Sequence, residues 1–353
     1  MSTLTGPVRT EQHASLRPLP WRRMAWVTWR QHRFALAGVA LFLGGLAVWL
    51  WTVGLQLHHA YAAALACYPR SHSLGVPIVC SGLIRSFNGM DRVLRDGYVL
   101  QGVPLLIGAF VGAPVLAREL ETGTFRYAWT QGFGRWRWTL AKLVALALAV
   151  AAAGGAISVL FAWYYRPYLA AGNQARSLIE ISPFSWGLFD LRGVAFAAWT
   201  LVAFAIGGLA GLLIRRVVPA IVATLAAYIA LALAVGVYLR QHYLTALVTS
   251  KLSVPASAWI TSTWGTKGGA VAFRGRAPAN LFMRVCPPSA MGPGKPSQGA
   301  LNACLIRHGY TLWTSYQPAS RFWTFQWIEG GWLLALSALL IAATVWLVRR
   351  RAA

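Results

Sequence analysis

Acidic residues are scarce in this chain. Its 353 residues include 8 Asp and Glu against 32 Lys and Arg, and charged residues of all kinds make up 11% of the total. A proton- or sodium-coupled transporter depends on ionisable groups inside the membrane, and the apolar stretches here contain almost none. Asp190 and Glu329 lie near the starts of two such stretches, with Glu329 about two turns inside the last one. Glu329 is therefore a possible transport-path residue, with a structural contact as the alternative.

The sequence also lacks catalytic and nucleotide-binding signatures. His58 and His59 are adjacent, so their side chains diverge on a helix, and no acidic residue is near them to complete a metal or hydrolytic site. The Gly-Pro-Gly-Lys-Pro run around Lys295 imitates a phosphate-binding loop, but Pro296 stands where the loop needs Ser or Thr. We expect no catalytic residue, no metal and no cofactor in this chain.

Cysteine is limited to four residues, none of them in a long apolar stretch or in a segment predicted to face the cytoplasm: Cys67, Cys80, Cys286 and Cys304. This distribution is typical of disulfides outside the cell. Proximity favours one bridge from Cys67 to Cys80 and another from Cys286 to Cys304. Four cysteines allow three pairings, and four free thiols are the remaining alternative.

Long apolar stretches dominate the composition, with 57% hydrophobic residues and a mean hydropathy of +0.53. A helix needs about 20 apolar residues to cross roughly 30 Å of hydrocarbon. Six stretches qualify: Phe34 to Leu55, Val99 to Ala117, Leu140 to Tyr164, Val194 to Ile214, Val217 to Leu239, and Trp323 to Val348. The sequence therefore predicts an all-α membrane protein with six transmembrane helices.

The basic residues set the predicted orientation. The formal net charge is +24, and Lys and Arg form short clusters beside the apolar stretches, where they fix topology and meet anionic lipid headgroups. This distribution argues against nucleic-acid binding. Most clusters fall on one side of a six-span chain, which places both termini in the cytoplasm and the protein in the plasma (inner) membrane as a multi-pass protein.

Four regions follow from this topology. Residues 1–33 form a cytoplasmic tail with an amphipathic helix from Arg17 to Phe34, which is predicted to lie in the membrane interface. Residues 34–239 hold spans one to five, and residues 240–321 form an extracellular cap pinned by a disulfide. Residues 322–353 hold the sixth span and a basic cytoplasmic tail.

The segment between the second and third spans has the most informative pattern. Glu119 and Glu121 end an apolar helix, and the polar residues after them interrupt it and cap a new start: Thr122, Gly123 and Thr124. A short amphipathic helix is predicted from Thr124 to Gln131, before the chain turns back near Arg135. An ordinary amphipathic connector is the alternative.

Three stretches make the chain similar to the ABC transporter type-2 permease family, specifically its small six-span export permeases with a separate ATPase chain. They are Glu119 to Thr124 with Arg135 and Lys142, the turn from Arg215 to Ala220, and the segment from Gln317 to Glu329. The resemblance implies that the helix between spans two and three is a coupling helix, which binds a nucleotide-binding ATPase subunit. The implied ATPase-coupling residues are Glu119, Glu121, Thr122, Gly123, Thr124 and Arg135.

The same resemblance implies the rest of the assembly. ATP and Mg would be bound by the partner ATPase, and the permease would form a homodimer or pair with a second similar permease. The complex would move a lipophilic, drug-like or peptide substrate out of the cell. The alternative is a non-transporting membrane subunit for immunity or sensing, which would bind a ligand through the extracellular cap.

Overall fold

The computed structural model describes residues 21–67, 90–123, 135–174, 182–185, 187–250, 254–255, 257–287 and 298–351. Within these ranges six helical segments are long and apolar enough to cross a membrane, and we call them spans 1 to 6. They are Ala37–Ala63, Asp96–Glu121, Trp136–Tyr168, Val194–Ile214, Val217–His242 and Ala319–Arg350. The chain is mostly helical, and the predicted count of six spans is confirmed.

Several helices extend beyond these limits. Span 1 belongs to a helix over Trp21–Cys67 and span 3 to one over Arg135–Gln174. Span 6 is a 3₁₀ turn over Ala319–Arg321 followed by the helix Phe322–Arg351. Span 4 is the helix Val194–Ile214 itself. The segment predicted as a separate amphipathic helix is helical from Trp21 onward, and it continues into span 1 without a break.

Spans 2 and 5 each contain a stretch of π-helix. Span 2 lies in a helical segment composed of Met90–Ile107, the π-helix Gly108–Gly112 and Ala113–Glu121. Span 5 consists of Val217–Leu233, the π-helix Ala234–Leu239 and a 3₁₀ turn over Arg240–His242. Such wide turns inside α-helices are frequent at functional sites, and both of these spans contribute to the cavity described below.

Span 4 lies at the centre of the bundle and packs against spans 2, 3, 5 and 6, whereas span 1 packs on span 3. Its contact with span 2 depends on glycine, because the two backbones approach too closely for side chains. A Cβ atom on Gly112 would lie 2.6 Å from the Phe204 carbonyl oxygen, and one on Gly108 would lie 2.7 Å from that of Ala203. Gly207 and Gly211 have equivalent positions on the span 4 side.

A tightly packed turn segment, described over residues 182–185 and 187–193, leads into span 4. Leu188, Phe189 and Leu191 are fully buried, and turns at Ser182 and Ser185 close the backbone. The Gln326 side chain of span 6 donates a hydrogen bond to the Phe189 carbonyl at 2.7 Å and accepts one from the Ala195 amide at 3.1 Å. Span 6 therefore fixes this segment against the bundle.

The cap contains a β-sheet, so the prediction of an all-α fold was wrong in this region. Four antiparallel strands pair in the order β1-β4-β2-β3: β1 is Leu247–Thr249, β2 is Trp259–Lys267, β3 is Ala270–Arg274 and β4 is Tyr310–Gln317. The missed signal was Gly268-Gly269, because two residues with positive φ form the tight turn that joins β2 to β3.

Two short helices, Ala279–Val285 and Gln298–Arg307, complete the cap. The predicted disulfide between Cys286 and Cys304 is confirmed, with the two Cα atoms 6.1 Å apart, and it joins the C-terminal end of the first helix to the second helix. The other predicted pair, Cys67 with Cys80, lies outside the described residues.

Candidate functional site

Two polar clusters lie at opposite ends of the bundle. We call the end that carries the sheet the cap end, and the other the turn end, since Arg215 and Arg216 turn the chain there between spans 4 and 5. The predicted coupling residues belong to the turn end. Glu329 belongs to a cluster near the cap end.

At the turn end, Glu119 forms an ion pair with Lys142. The Lys142 Nζ atom lies 2.6 Å from Glu119 Oε1 and donates a second hydrogen bond to the Val115 carbonyl at 3.0 Å. The lysine side chain is only 1% exposed, so its charge depends on these partners. The pair fastens the end of span 2 to the beginning of span 3.

Glu121 fastens the same end of span 2 to the following turn. Its Oε2 atom accepts a hydrogen bond from the Val217 backbone N–H at 3.0 Å, where span 5 begins. The first N–H groups of a helix have no partner within it, and a carboxylate there is also favoured by the helix dipole. Arg215 has left-handed backbone geometry with φ of 60°, which reverses the chain direction just before this contact.

The remaining predicted coupling residues follow directly. The Thr122 hydroxyl donates to the Arg118 carbonyl at 2.7 Å and closes the last turn of span 2, and Gly123 has a positive φ of 71° where the helix ends. Thr124 and the predicted coupling helix lie outside the described residues. Arg135 begins the helix of span 3, and its side chain is not described.

Near the cap end, Arg240 and Glu329 form a bidentate ion pair. The guanidinium Nε lies 2.9 Å from Glu329 Oε2, and Nη2 lies 2.7 Å from Oε1. The Glu329 side chain is 0% exposed, and the indole N–H of Trp199 donates to its Oε1 at 3.0 Å. The pair joins spans 5 and 6, and Trp199 ties it to span 4.

Asp190 is a second carboxylate on the same guanidinium. Its Oδ1 accepts a hydrogen bond from Arg240 Nη2, while Oδ2 lies 3.5 Å from the Gln101 amide nitrogen of span 2. Burial raises the pKa of Asp190 from 3.8 to about 7; Arg240 opposes this change and Glu329 adds to it. The Arg240 guanidinium also stacks 4.3 Å from the centre of the Phe189 ring.

A cavity of about 110 Å³ adjoins this cluster. It lies between spans 2, 4 and 5, and its walls combine aromatic, polar and charged side chains: Gln101, Pro104, Asp190, Phe196, Trp199, Tyr228, Ala232 and Arg240. A concave site with a few convergent polar groups is the usual form of a ligand site. We call this space the Asp190 cavity.

The sequence pointed to Glu329 but missed its partner. Arg240 was assigned to the start of the cap, because the apolar run of span 5 ends at Leu239. In the structure the helical turns continue through His242, so Arg240 stays inside the bundle and is 3% exposed. The sequence did contain a signal for this pairing. Arg240 lies within one turn of the predicted end of span 5, and Glu329 lies inside span 6.

Comparison with known proteins gives one match. Residues 40–240, which are more than half of the chain, match the family described as ABC-2 membrane transporter related. No curated protein and no solved structure shows significant similarity to it. The matched region holds spans 2 to 4, nearly all of spans 1 and 5, and every residue that lines the Asp190 cavity. Glu329 and almost all of the cap lie beyond it.

Proposed function

The chain belongs to the ABC-2 membrane transporter related family, and from this premise we propose that it is the permease of an ATP-driven exporter. It is a multi-pass membrane protein and a transporter membrane subunit. In this proposal it resides in the plasma membrane with both termini in the cytoplasm. It moves a lipophilic, drug-like or peptide substrate outward, while ATP and Mg are bound by a separate ATPase subunit.

The contacts at the turn end are the observation that carries the proposal. Glu119 and Glu121 connect the last turn of span 2 to span 3 through Lys142, and to the span 4–5 turn through Val217. The linker 124–134 follows span 2 directly. A partner that displaces this linker would therefore move four spans together, which is what a coupling element must do.

The exported substrate would cross as the bundle changes between two packings. Closure of two ATPase subunits would push the linkers of two permeases together and favour one packing over the other, as in any two-state element biased by a ligand. A second copy or a similar permease would complete the assembly. Few side chains of span 1 are buried within the single chain, so this span offers a surface to lipid or to that partner.

The proposal requires the linker to face the cytoplasm and the cap to face outward. We would introduce Thr124→Cys in the linker and Ser262→Cys in the cap, where Ser262 is exposed. A membrane-impermeant maleimide should label the cap variant in intact cells, and the linker variant only in inverted vesicles. The unsubstituted chain gives the background from its own cysteines.

Addition of the purified ATPase subunit to inverted vesicles should then protect the linker cysteine from the maleimide. An ATPase with altered coupling-groove residues is the matched control, and it should leave labelling unchanged. Labelling of the linker variant in intact cells would rule out this orientation. Failure of any ATPase to protect the linker would rule out its coupling role.

A further inference from the structure

We propose that the Asp190 cavity binds the positively charged head of an organic ammonium compound, so that the substrates of this permease are lipophilic cations. The inference rests on the proposed function, because it names the substrate class of the exporter. Three features carry it: the charge balance of the cluster, the aromatic walls, and the size of the cavity.

The charge balance of the cluster is one negative charge in excess when both carboxyls are ionised. Both oxygens of Glu329 are bound by Arg240, and Trp199 donates a further hydrogen bond to it. Asp190 Oδ2 lies 3.5 Å from the Gln101 amide nitrogen, a long distance for a hydrogen bond. Buried charge without a counter-charge is costly. Either a proton or a bound cation can neutralise it.

The walls of the cavity favour an organic cation. Phe196, Trp199 and Tyr228 line it together with Asp190, and the Trp199 and Tyr228 rings meet edge to face with centroids 5.6 Å apart. Aromatic faces attract ammonium groups through the ring quadrupole, and they do so more strongly when the site is desolvated. Aromatic faces beside a single carboxylate are the arrangement by which proteins recognise quaternary ammonium groups.

The size of the cavity limits what it can hold. About 110 Å³ has room for several water molecules, and so for a small ammonium head, but not for a whole drug-sized molecule. An apolar tail would have to leave the cavity between the spans, which suits an amphiphilic cation.

Binding can be measured on the purified permease in dodecylmaltoside, without ATPase or ATP. The probe is hexyltrimethylammonium, and hexanesulfonate carries the same tail with a negative head. Calorimetric titration should show saturable binding of the cation alone. Asp190→Asn should weaken it by about tenfold or more, the order expected when a charged partner is lost.

Two further variants complete the test. Ala232→Leu fills the cavity without changing any charge and should also weaken binding by about tenfold or more. Asp96→Asn is the matched control, since Asp96 is a buried carboxylate that hydrogen-bonds Tyr164 and does not line the cavity. It should bind the cation like the unsubstituted protein. Thermal melting verifies that each variant is folded. If Asp190→Asn does not fold, the result for Ala232→Leu decides whether the cavity binds the cation.

Two results would overturn the proposal. Unchanged cation binding in folded Ala232→Leu protein would show that the cavity is not the site. Preferential binding of hexanesulfonate would assign the cluster to anions through Arg240. Because the ATPase is absent from this assay, a failure here is distinguishable from a failure of ATP coupling, which is judged by protection of the linker.

Discussion

At the scale of single residues, Asp190 makes the stability of the permease depend on pH. Its pKa is raised from 3.8 to about 7 because burial disfavours the charged carboxylate. The folded state therefore holds this proton more tightly than the unfolded chain. The resulting stabilisation is complete below about pH 4 and is lost as the pH rises through about 7.

Asp190→Asn should remove this dependence. Between pH 5 and pH 8 the melting temperature of the purified variant should rise by a few degrees relative to that of the unsubstituted protein. The size follows because 1 kcal/mol in the free energy of unfolding corresponds to roughly 2–4 °C. Arg240, Tyr228 and Glu329 are present in both proteins, so the difference isolates Asp190. A constant difference across the range would contradict the raised pKa.

Loss of one partner of the Arg240–Glu329 pair should lower the free energy of unfolding strongly, whereas replacement of both partners should lower it little. Arg240→Met leaves two buried carboxylates unpaired, and Glu329→Leu leaves the guanidinium with Asp190 alone; loss of one partner of a buried pair costs about 3–5 kcal/mol. The double variant removes both charges and leaves Asp190, which burial keeps protonated at pH 5. Folded protein should therefore be recovered at that pH, measured by size-exclusion chromatography and melting. If it is no better than either single variant, the pair is not the unit of stability proposed here.

Sequence reasoning reached this cluster only in part. Glu329 was evident because a carboxylate inside an apolar span is rare. The identity of its partner was not, since Arg240, Asp190 and Trp199 belong to three different elements and meet only when spans 4, 5 and 6 pack. Linear distance gives no information on such a contact, whereas the nearby Cys286 and Cys304 could be paired from proximity.

At the scale of elements, the glycine contact between spans 2 and 4 sets how closely the bundle packs. A Cβ on Gly207 would clash with the Gly108 carbonyl, while one on Gly208 would meet only Leu143 Cδ2, at 3.7 Å. Gly207→Ala should lower the melting temperature by the equivalent of about 1–3 kcal/mol, the cost of overpacking. Gly208→Ala, one position away in the same helix, is the control and should change little. Equal melting of the two variants would show that the spans do not approach this closely.

The contact between Glu121 and Val217 should matter for coupling more than for folding, because it is exposed and lies at the base of the linker. Glu121→Lys loses the acceptor and places a positive charge at a helix N-terminus, where the dipole disfavours it. In vesicles that contain the ATPase, this variant should hydrolyse ATP without moving substrate. Glu121→Gln keeps an amide oxygen for the Val217 N–H and should stay coupled; equal coupling in both variants would argue against the contact.

The helices and strands could be predicted where a long apolar run marks them, and they were missed where the pattern is short. Span 4 begins at Val194 and ends at Ile214 as expected, because two arginines bound its apolar run. The strands of the cap have three to nine residues, and their pairing depends on β4, which is distant in sequence from β2. Only the Gly268-Gly269 turn marks a hairpin locally, and it was not recognised.

At the scale of the whole molecule, span 4 connects the two polar clusters. Its cap-end half carries Trp199, which binds Glu329 and lines the Asp190 cavity, and its other end leads into the turn whose Val217 N–H binds Glu121. Glycine packing against span 2 leaves little room for these spans to deform separately. A change of packing at one end should therefore be felt at the other.

This connection predicts that cation binding and ATP hydrolysis influence each other. In vesicles that contain permease and ATPase, hexyltrimethylammonium should stimulate hydrolysis severalfold, because it favours the packing with the occupied cavity. Asp190→Asn should lose the stimulation. Glu121→Lys should still bind the cation by calorimetry but no longer transmit it to the ATPase. Glu121→Lys alters the turn end and leaves the cation site at the cap end intact. Full stimulation in this variant would therefore show that cation binding affects the ATPase by a path other than the end of span 2.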